Sequence, residues 1–155
     1  MLCNCVKSSL AELIYLFEKP AATLIGFNGL PTFFNRPLLE LSVYEEKNQE
    51  LVARLCQELG TDYELVGDRV GMVTPRVICM IINEAYYTLQ EGTASKADID
   101  QGMKLGTNYP YGPFEWAGRI GLDHVYDLLE ALWEDTRDER YKICPLLKRD
   151  YLMLG

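Results

Sequence analysis

Basic residues and histidine are the scarce groups of this chain. Lys and Arg number 15 against 23 Asp and Glu, a net charge of −8 over 155 residues, and a surface of that sign repels phosphate backbones and anionic headgroups. Nucleic acid is excluded as a partner on that ground. The single histidine, His124, follows Asp123 on a predicted helix and reads as a surface or packing residue. No apolar run is long enough to cross a bilayer, and no charged, apolar and small-residue signal series opens the chain, so no membrane role and a soluble, cytoplasmic protein are expected. Paired cysteine spacing is missing too: Cys3, Cys5, Cys56, Cys79 and Cys144 are odd in number and form no CxxC, which predicts reduced thiols. Cys3 and Cys5 alternate on a predicted strand and read as sheet fillers. The acidic residues Glu130, Glu134, Asp135, Asp138 and Glu139 lack metal-ligand spacing and read as a solvated helix end, so no metal site is expected. Internal repeats, low-complexity tracts and linkers are absent from the sequence as well.

What is present is a chain of single-domain length, for which one compact unit is expected. It has two rhythms. From Met1 to about Gly67, β-type runs alternate with helix-like ones: Leu2 to Val6, Ser9 to Phe17, Thr23 to Asn28, Leu38 to Tyr44, Lys47 to Leu59 and Tyr63 to Val66. That alternation predicts an α/β layer. The helix over Lys47 to Leu59 is given an inward stripe of Leu51, Val52, Leu55 and Leu59, with Gly60 as its stop. From Asp68 onward the pattern is helical throughout. Val77, Ile78, Met80, Ile81, Ile82, Ala85 and Leu89 go more than halfway round one long helix ending at Gly92, which predicts burial against several neighbours. Further helices are expected from Asp123, as cap, to about Asp135, and from Pro145. Gly26, Gly29 and Gly60 read as isolated turn glycines.

The run from Ala94 to Asp123 carries the most information. Ser95 followed by Asp98 is a capping pair that predicts a helix from Lys96. Its stop is placed near Leu105, with Gly106 as the left-handed cap. Tyr109-Pro-Tyr-Gly-Pro113 forces a tight connection, and Pro113 suits the first turn of the next helix because no internal donor is needed there. As a whole this run resembles the C-terminal helical domain of 3-hydroxyacyl-CoA dehydrogenases. The resemblance is strong from Glu84 to Leu147 and weaker before it, where Cys3-Asn-Cys-Val-Lys-Ser-Ser-Leu10 resembles the family's Asn-Thr-Ser-Ser-Leu segment. It implies an α/β part followed by an all-α part. Residues 1–67 would be the second half of a Rossmann-type NAD-binding domain, with a partial sheet of about four strands, and residues 68–155 a helical dimerisation domain. The family's GxGxxG turn, which seats the cofactor pyrophosphate on a helix N-terminus, does not occur in the sequence. The expectation is therefore that the dinucleotide-binding half is absent and that this chain holds no cofactor of its own, NAD being the family's.

The resemblance also names the site. In the family a histidine takes the substrate hydroxyl proton, and a glutamate twelve residues later holds that imidazole. Leu24-Ile-Gly-Phe-Asn-Gly-Leu-Pro31 is similar to the histidine segment and puts Asn28 at the histidine position, while Glu40 falls twelve residues on. Ser8, or Ser9 if the register slips by one, stands where a family serine bonds the substrate oxygen. Pro75 stands at the place of a substrate-contacting asparagine, with Thr74 as a helix cap. Alternative readings stay open: Ser8 and Ser9 as caps of a helix from Leu10, Asn28 as a turn residue, and Glu40 as a solvated strand end. The functional expectation is a 3-hydroxyacyl-CoA dehydrogenase-like protein without independent activity. The alternatives are a subunit completed by another chain carrying the NAD lobe, with Glu40 as a weak base, and a structural or assembly module. An acyl-CoA ligand and a homodimer are the expected partners. The dimer is placed on the helices because Tyr86, Tyr87, Trp116, Ile120, Leu128 and Trp133 exceed what one small core needs.

Overall fold

The computed structural model describes residues 1–18, 20–33 and 35–155. Two compact units are found where length alone suggested one: Met1–Pro75 and Arg76–Gly155.

The first unit contains β1 (Leu2–Asn4), α1 (Leu10–Leu16), β2 (Ile25–Phe27), β3 (Leu38–Val43), α2 (Gln49–Leu59) and β4 (Asp62–Leu65). The strands form a four-stranded sheet in the order β1-β2-β3-β4. β1 runs parallel to β2, β2 antiparallel to β3, and β3 parallel to β4. Side chains alternate across the sheet, so Leu41 joins Ile25, Val52 and Cys56 in one core layer, while Cys5, Leu10, Leu24 and Met72 pack in another. Gly26 is not a turn glycine. It sits inside β2, and a Cβ there would lie 2.3 Å from Ser42 Oγ and 2.9 Å from Cys5 Sγ.

Both helices of this unit are set at one end, α1 by polar groups at its start and α2 by a glycine at its stop. Ser9 caps α1, accepting from the Glu12 N–H while the Glu12 carboxylate accepts from the Ser9 N–H. Asp68 adds a second carboxylate, accepting from the Leu10 and Ala11 N–H groups at 2.6 and 2.9 Å. α2 ends at Gly60 in the left-handed conformation, φ 64°, as its sequence required. Its inward stripe is narrower than expected. Val52 and Cys56 are buried, one helical turn apart, whereas Leu51 and Leu59 are 39% and 59% exposed. The helix is turned so that its i, i+4 ridge meets the sheet, and the flanking leucines are left at its margins.

The helices that follow are α3 (Thr74–Gln90), whose first two residues belong to the first unit, then α4 (Lys96–Thr107), α5 (Pro113–Ile120), α6 (Leu122–Thr136) and α7 (Pro145–Leu152). Ser95 caps α4 as expected, accepting from the Asp98 N–H. The helix runs past Gly106 to a left-handed cap at Asn108, φ 55°, and the Thr107 hydroxyl bonds back to the Met103 carbonyl across the added turn. α3 buries one face, with Ile78, Cys79, Ile82, Asn83, Ala85 and Tyr86 inside, and leaves Val77 half exposed. It is therefore a one-faced helix rather than one enclosed on most sides. α6 is preceded by Gly121, at φ 97°, and Asp123 lies in its first turn rather than capping it. The core of the second unit is built on Val125, Leu128, Leu129 and Leu132 from α6 with Trp116 and Ile120 from α5. Tyr86, Trp116, Ile120 and Leu128 are thus consumed within the chain and do not supply an interface surface.

Side-chain polar groups fasten this unit as well. The buried Asp100 carboxylate accepts from the Phe114 and Glu115 N–H groups at 2.7 and 3.1 Å, holding the start of α5. Asn83 donates to the Lys142 carbonyl and accepts from the Cys144 N–H, both at 2.9 Å, tying the segment before α7 to α3. A buried amide with both ends engaged costs little to bury and specifies one arrangement.

Candidate functional site

Asn28 and Glu40 meet where β2 ends beside β3. The Asn28 N–H donates to the Glu40 carbonyl at 3.0 Å, continuing the antiparallel ladder. Its side-chain Nδ2 donates to Glu40 Oε2 at 3.3 Å, and its Oδ1 accepts from the Leu30 N–H at 3.1 Å. Asn28 is only 6% exposed. The Glu40 carboxylate reaches in the other direction to the start of α3. There Oε1 accepts a short hydrogen bond from the Val73 N–H, and the Thr74 N–H is shared between Oε1 at 3.3 Å and Oε2 at 3.2 Å. Glu40 is therefore a helix-capping carboxylate, placed where free N–H groups and the helix dipole favour negative charge. Thr74, expected to be the cap, is instead the first helical residue and is itself capped.

Two grooves open beside the pair. One, of about 390 Å³, is lined by Asn28, Phe33, Arg36, Leu39, Glu40 and Glu64, among others. The other, of about 590 Å³, is mainly apolar and is lined by Leu2, Phe27, Leu41, Leu55 and Leu59 with Asn28, Arg36 and Glu40. Asn28, Arg36, Leu39 and Glu40 border both. The Arg36 guanidinium lies 4.1 Å from the centroid of the Phe33 ring, and its Nε donates to the Thr32 carbonyl.

Ser8 and Pro75 line neither groove. Ser8 is half-buried in the bend before α1, where its neighbour Ser9 makes the capping bonds, and Pro75 is buried in the first turn of α3. The structure thus brings Asn28 and Glu40 together and puts Ser8 and Pro75 in helix-start positions. Three residues of this region were not singled out from sequence. Arg36 lines both grooves, and Asp68 holds α1. Asn4 accepts from the Val6 N–H at 3.2 Å and from the Gly29 N–H at 3.3 Å, fixing the turn beside Asn28, where a Cβ on Gly29 would meet the Asn4 carboxamide at 2.6 Å. Partners 25 to 58 positions apart leave no local spacing to read.

The thiols lie in other surroundings. Burial, with the Asp68 charge as a smaller contribution, pushes Cys5 up to about 12, and burial alone pushes Cys79 up to about 12. Among the described residues no group of three or more His, Cys, Asp or Glu is placed to hold a metal ion, and no helix is long and apolar enough to cross a membrane.

The comparisons give the family of this fold, a partly parallel sheet with helices followed by an α-helical unit. Residues 71–152 match the 3-hydroxyacyl-CoA dehydrogenase, C-terminal domain, and the chain belongs to the 3-hydroxyacyl-CoA dehydrogenase family. It is 43% identical over 97 residues to 3-hydroxyadipyl-CoA dehydrogenase of Escherichia coli, covering 63% of this chain and 20% of that protein. It is 39% identical over 115 residues to a probable 3-hydroxybutyryl-CoA dehydrogenase of Bacillus subtilis, covering 74% and 39%. Among solved structures, (S)-3-hydroxybutyryl-CoA dehydrogenase from Ralstonia eutropha superposes with a TM-score of 0.83 at 32% identity, over 99% of this chain and 55% of that one. The chain spans well under half the length of these two sequence relatives.

Proposed function

We propose that this chain is an acyl-thioester-binding member of the 3-hydroxyacyl-CoA dehydrogenase family without dehydrogenase activity of its own. The observation that carries the reading is the Asn28–Glu40 hydrogen bond. The resemblance puts a histidine and its glutamate at these positions, and the pair is kept in place with an amide where the proton acceptor would be. A carboxamide takes no proton near neutral pH, and loss of a general base costs about 10²–10⁴-fold in rate. Glu40 is committed to the start of α3, where its carboxylate accepts from Val73 and Thr74 as well as from Asn28.

NAD, the family's cofactor, finds no unclaimed helix start at α1 or at α3. A pyrophosphate needs unclaimed N–H groups at a helix start. The N–H groups opening α1 are accepted by Asp68 and Ser9, and those opening α3 by Glu40. Both carboxylates would also repel phosphate. The grooves beside Asn28 supply the acyl-thioester site, and a homodimer through the helical unit and a cytoplasmic setting complete the reading.

The test is direct. The chain is incubated with NAD and 3-hydroxybutyryl-CoA while NADH is followed, and binding of NAD and of acyl-CoA is measured separately by calorimetry. Acyl-CoA binding without NADH production and without NAD binding at millimolar concentration is expected. NADH formation above the no-protein control, or a micromolar NAD site, would overturn the proposal.

A second reading, a subunit completed by another chain that carries the NAD lobe, is favoured by one feature. β1 forms an edge of the sheet, and Leu2, Phe27 and Leu59 beside it line an open apolar groove. A co-purifying chain with a GxGxxG turn would select that reading.

A further inference from the structure

We propose that Asn28-Gly29 is a latent self-modification site, at which the Gly29 nitrogen can close on the Asn28 carboxamide, and that Asn4 holds it shut. Of the asparagines in the chain, Asn28 alone is followed by glycine, the neighbour that shields its own main-chain nitrogen least and bends most freely toward the preceding side chain. In this deamidation the Gly29 nitrogen attacks Asn28 Cγ and releases its proton to solvent. A C–N bond forms, the Cγ–Nδ2 bond breaks, and Nδ2 leaves as ammonia with a proton taken up from solvent. Water then opens the five-membered imide at either carbonyl, leaving an aspartate or an isoaspartate at position 28. The chemistry needs only water.

One contact imposes both the labile glycine and its guard. A Cβ on Gly29 would lie 2.6 to 2.8 Å from the atoms of the Asn4 carboxamide, so a side chain is excluded there. The same carboxamide accepts the Gly29 N–H at Oδ1, 3.3 Å away. An amide oxygen takes no proton near neutral pH, so the nitrogen is covered without being activated. Asn28 is held as well: Oδ1 accepts from the Leu30 N–H at 3.1 Å, Nδ2 donates to Glu40 at 3.3 Å, and the main-chain N–H donates to the Glu40 carbonyl at 3.0 Å. Ring closure takes the Gly29 nitrogen from Asn4 and draws Cγ toward the backbone, away from Leu30 and Glu40. Each bond that must open lowers the reactive population by about two- to tenfold. Conversion is one-way. A carboxylate then stands where Nδ2 donated to Glu40, and two carboxylates so close repel. The isoaspartate form also adds a carbon to the main chain ahead of Gly29 and draws it off Asn4. None of this depends on what the grooves bind, so it stands apart from the acyl-thioester reading.

The full chain is incubated in mildly alkaline buffer, folded or unfolded in urea, and the peptide holding Asn28 is followed by mass spectrometry with isoaspartate as the marker. The folded wild type should convert at least about tenfold more slowly than the unfolded chain. Asn4→Ala should convert about two- to tenfold faster than folded wild type. Asn4→Asp, which keeps an acceptor for Gly29, should stay near wild type, and Val52→Ala, which loosens the same unit's core without touching the turn, should raise the rate less than Asn4→Ala. A folded rate equal to or above the unfolded one would overturn the proposal. So would an Asn4→Ala rate that matches wild type or is matched by Val52→Ala. If Asn4→Ala does not fold, amide exchange at Gly29 in the wild type decides: slow exchange supports the hold by Asn4, and exchange at the rate of a free amide overturns it. Asn28→Asp, which makes the product directly, should unfold at lower urea than wild type, and an equal midpoint would overturn the one-way step.

Discussion

Replacing Glu40 by alanine separates a capping carboxylate from a catalytic one. In the wild type this side chain accepts from the N–H groups of Val73 and Thr74 at the start of α3 and from Asn28 Nδ2. Loss of a helix-capping acceptor costs about 0.5–2 kcal/mol, and removal of a negative charge from a helix start about 0.3–1 kcal/mol. Water can reach part of this region because Val73 is 53% exposed, which holds the capping loss to the lower half of its range. Asn28 is buried, so its abandoned N–H adds about 1 kcal/mol. Together Glu40→Ala should destabilise the first unit by about 2–3 kcal/mol. Glu40→Gln keeps one oxygen for the helix but sets an amide donor against Asn28 or the helix start, and should cost about half as much. Trp116 and Trp133 both lie in the second unit, so tryptophan fluorescence would not report this change. Urea unfolding followed by circular dichroism, with amide exchange read at Val73 and Thr74, would. Glu40→Ala within about 0.5 kcal/mol of wild type, with unchanged exchange at those two amides, would refute the capping role.

Gly112→Ala should be among the costliest single changes in the second unit, since its Cβ would sit 2.4 Å from the Asp100 Cα and side chain. A loss of more than about 2 kcal/mol in urea unfolding is expected, and near-neutral behaviour would show that α4 and α5 can separate without cost. The buried thiols set a pH dependence. Cys5 and Cys79 hold their protons up to about 12 in the folded chain and ionise near the ordinary thiol value of 9.0 when unfolded. Above that value the unfolded state binds fewer protons, so their stabilisation is complete below about pH 9 and is lost as pH rises toward 12; denaturation midpoints that stay level from pH 8 to 10.5 in the presence of reductant would contradict it. For self-association, sedimentation at low micromolar concentration should give a dimer that Met103→Asp disrupts. Met103 lines an apolar groove of about 320 Å³ with Ile81, Ala85 and Ile99. A monomer in the wild type would remove the dimer, and a dimer that persists in the variant would place it on another surface.

What the sequence disclosed well was whatever is decided within one or two turns of chain. Ser95 and Asp98 marked the start of α4, Pro113 the start of α5, Gly60 the end of α2 and Pro145 the start of α7, because each is a local solution to unpaired backbone groups. The errors have local causes too. Gly106 drew the predicted end of α4 two residues early, since Asn108 also tolerates the left-handed conformation and leaves no unique mark. Gly26 was read as a turn because a bare glycine gives no sign of Ser42 and Cys5 crowding it across the sheet.

The site divides along the same line. The twelve-residue interval between Asn28 and Glu40 was legible because resemblance supplied it, and the antiparallel pairing of β2 with β3 closes that interval into contact. The role of Glu40 was not legible, because its decisive partners, Val73 and Thr74, are 33 and 34 positions away and contribute backbone rather than side chain. Backbone N–H groups carry no residue identity, so no sequence pattern records which carboxylate will claim them. The same holds for Asp68 on α1 and Asp100 on α5. Three helix starts held by carboxylates from elsewhere in the chain show why an acidic residue at a family's catalytic position is weak testimony of catalysis. The capping bonds must be weighed first, and at Glu40 the N–H groups of Val73 and Thr74 together with Asn28 Nδ2 account for the position of the carboxylate without any catalytic role.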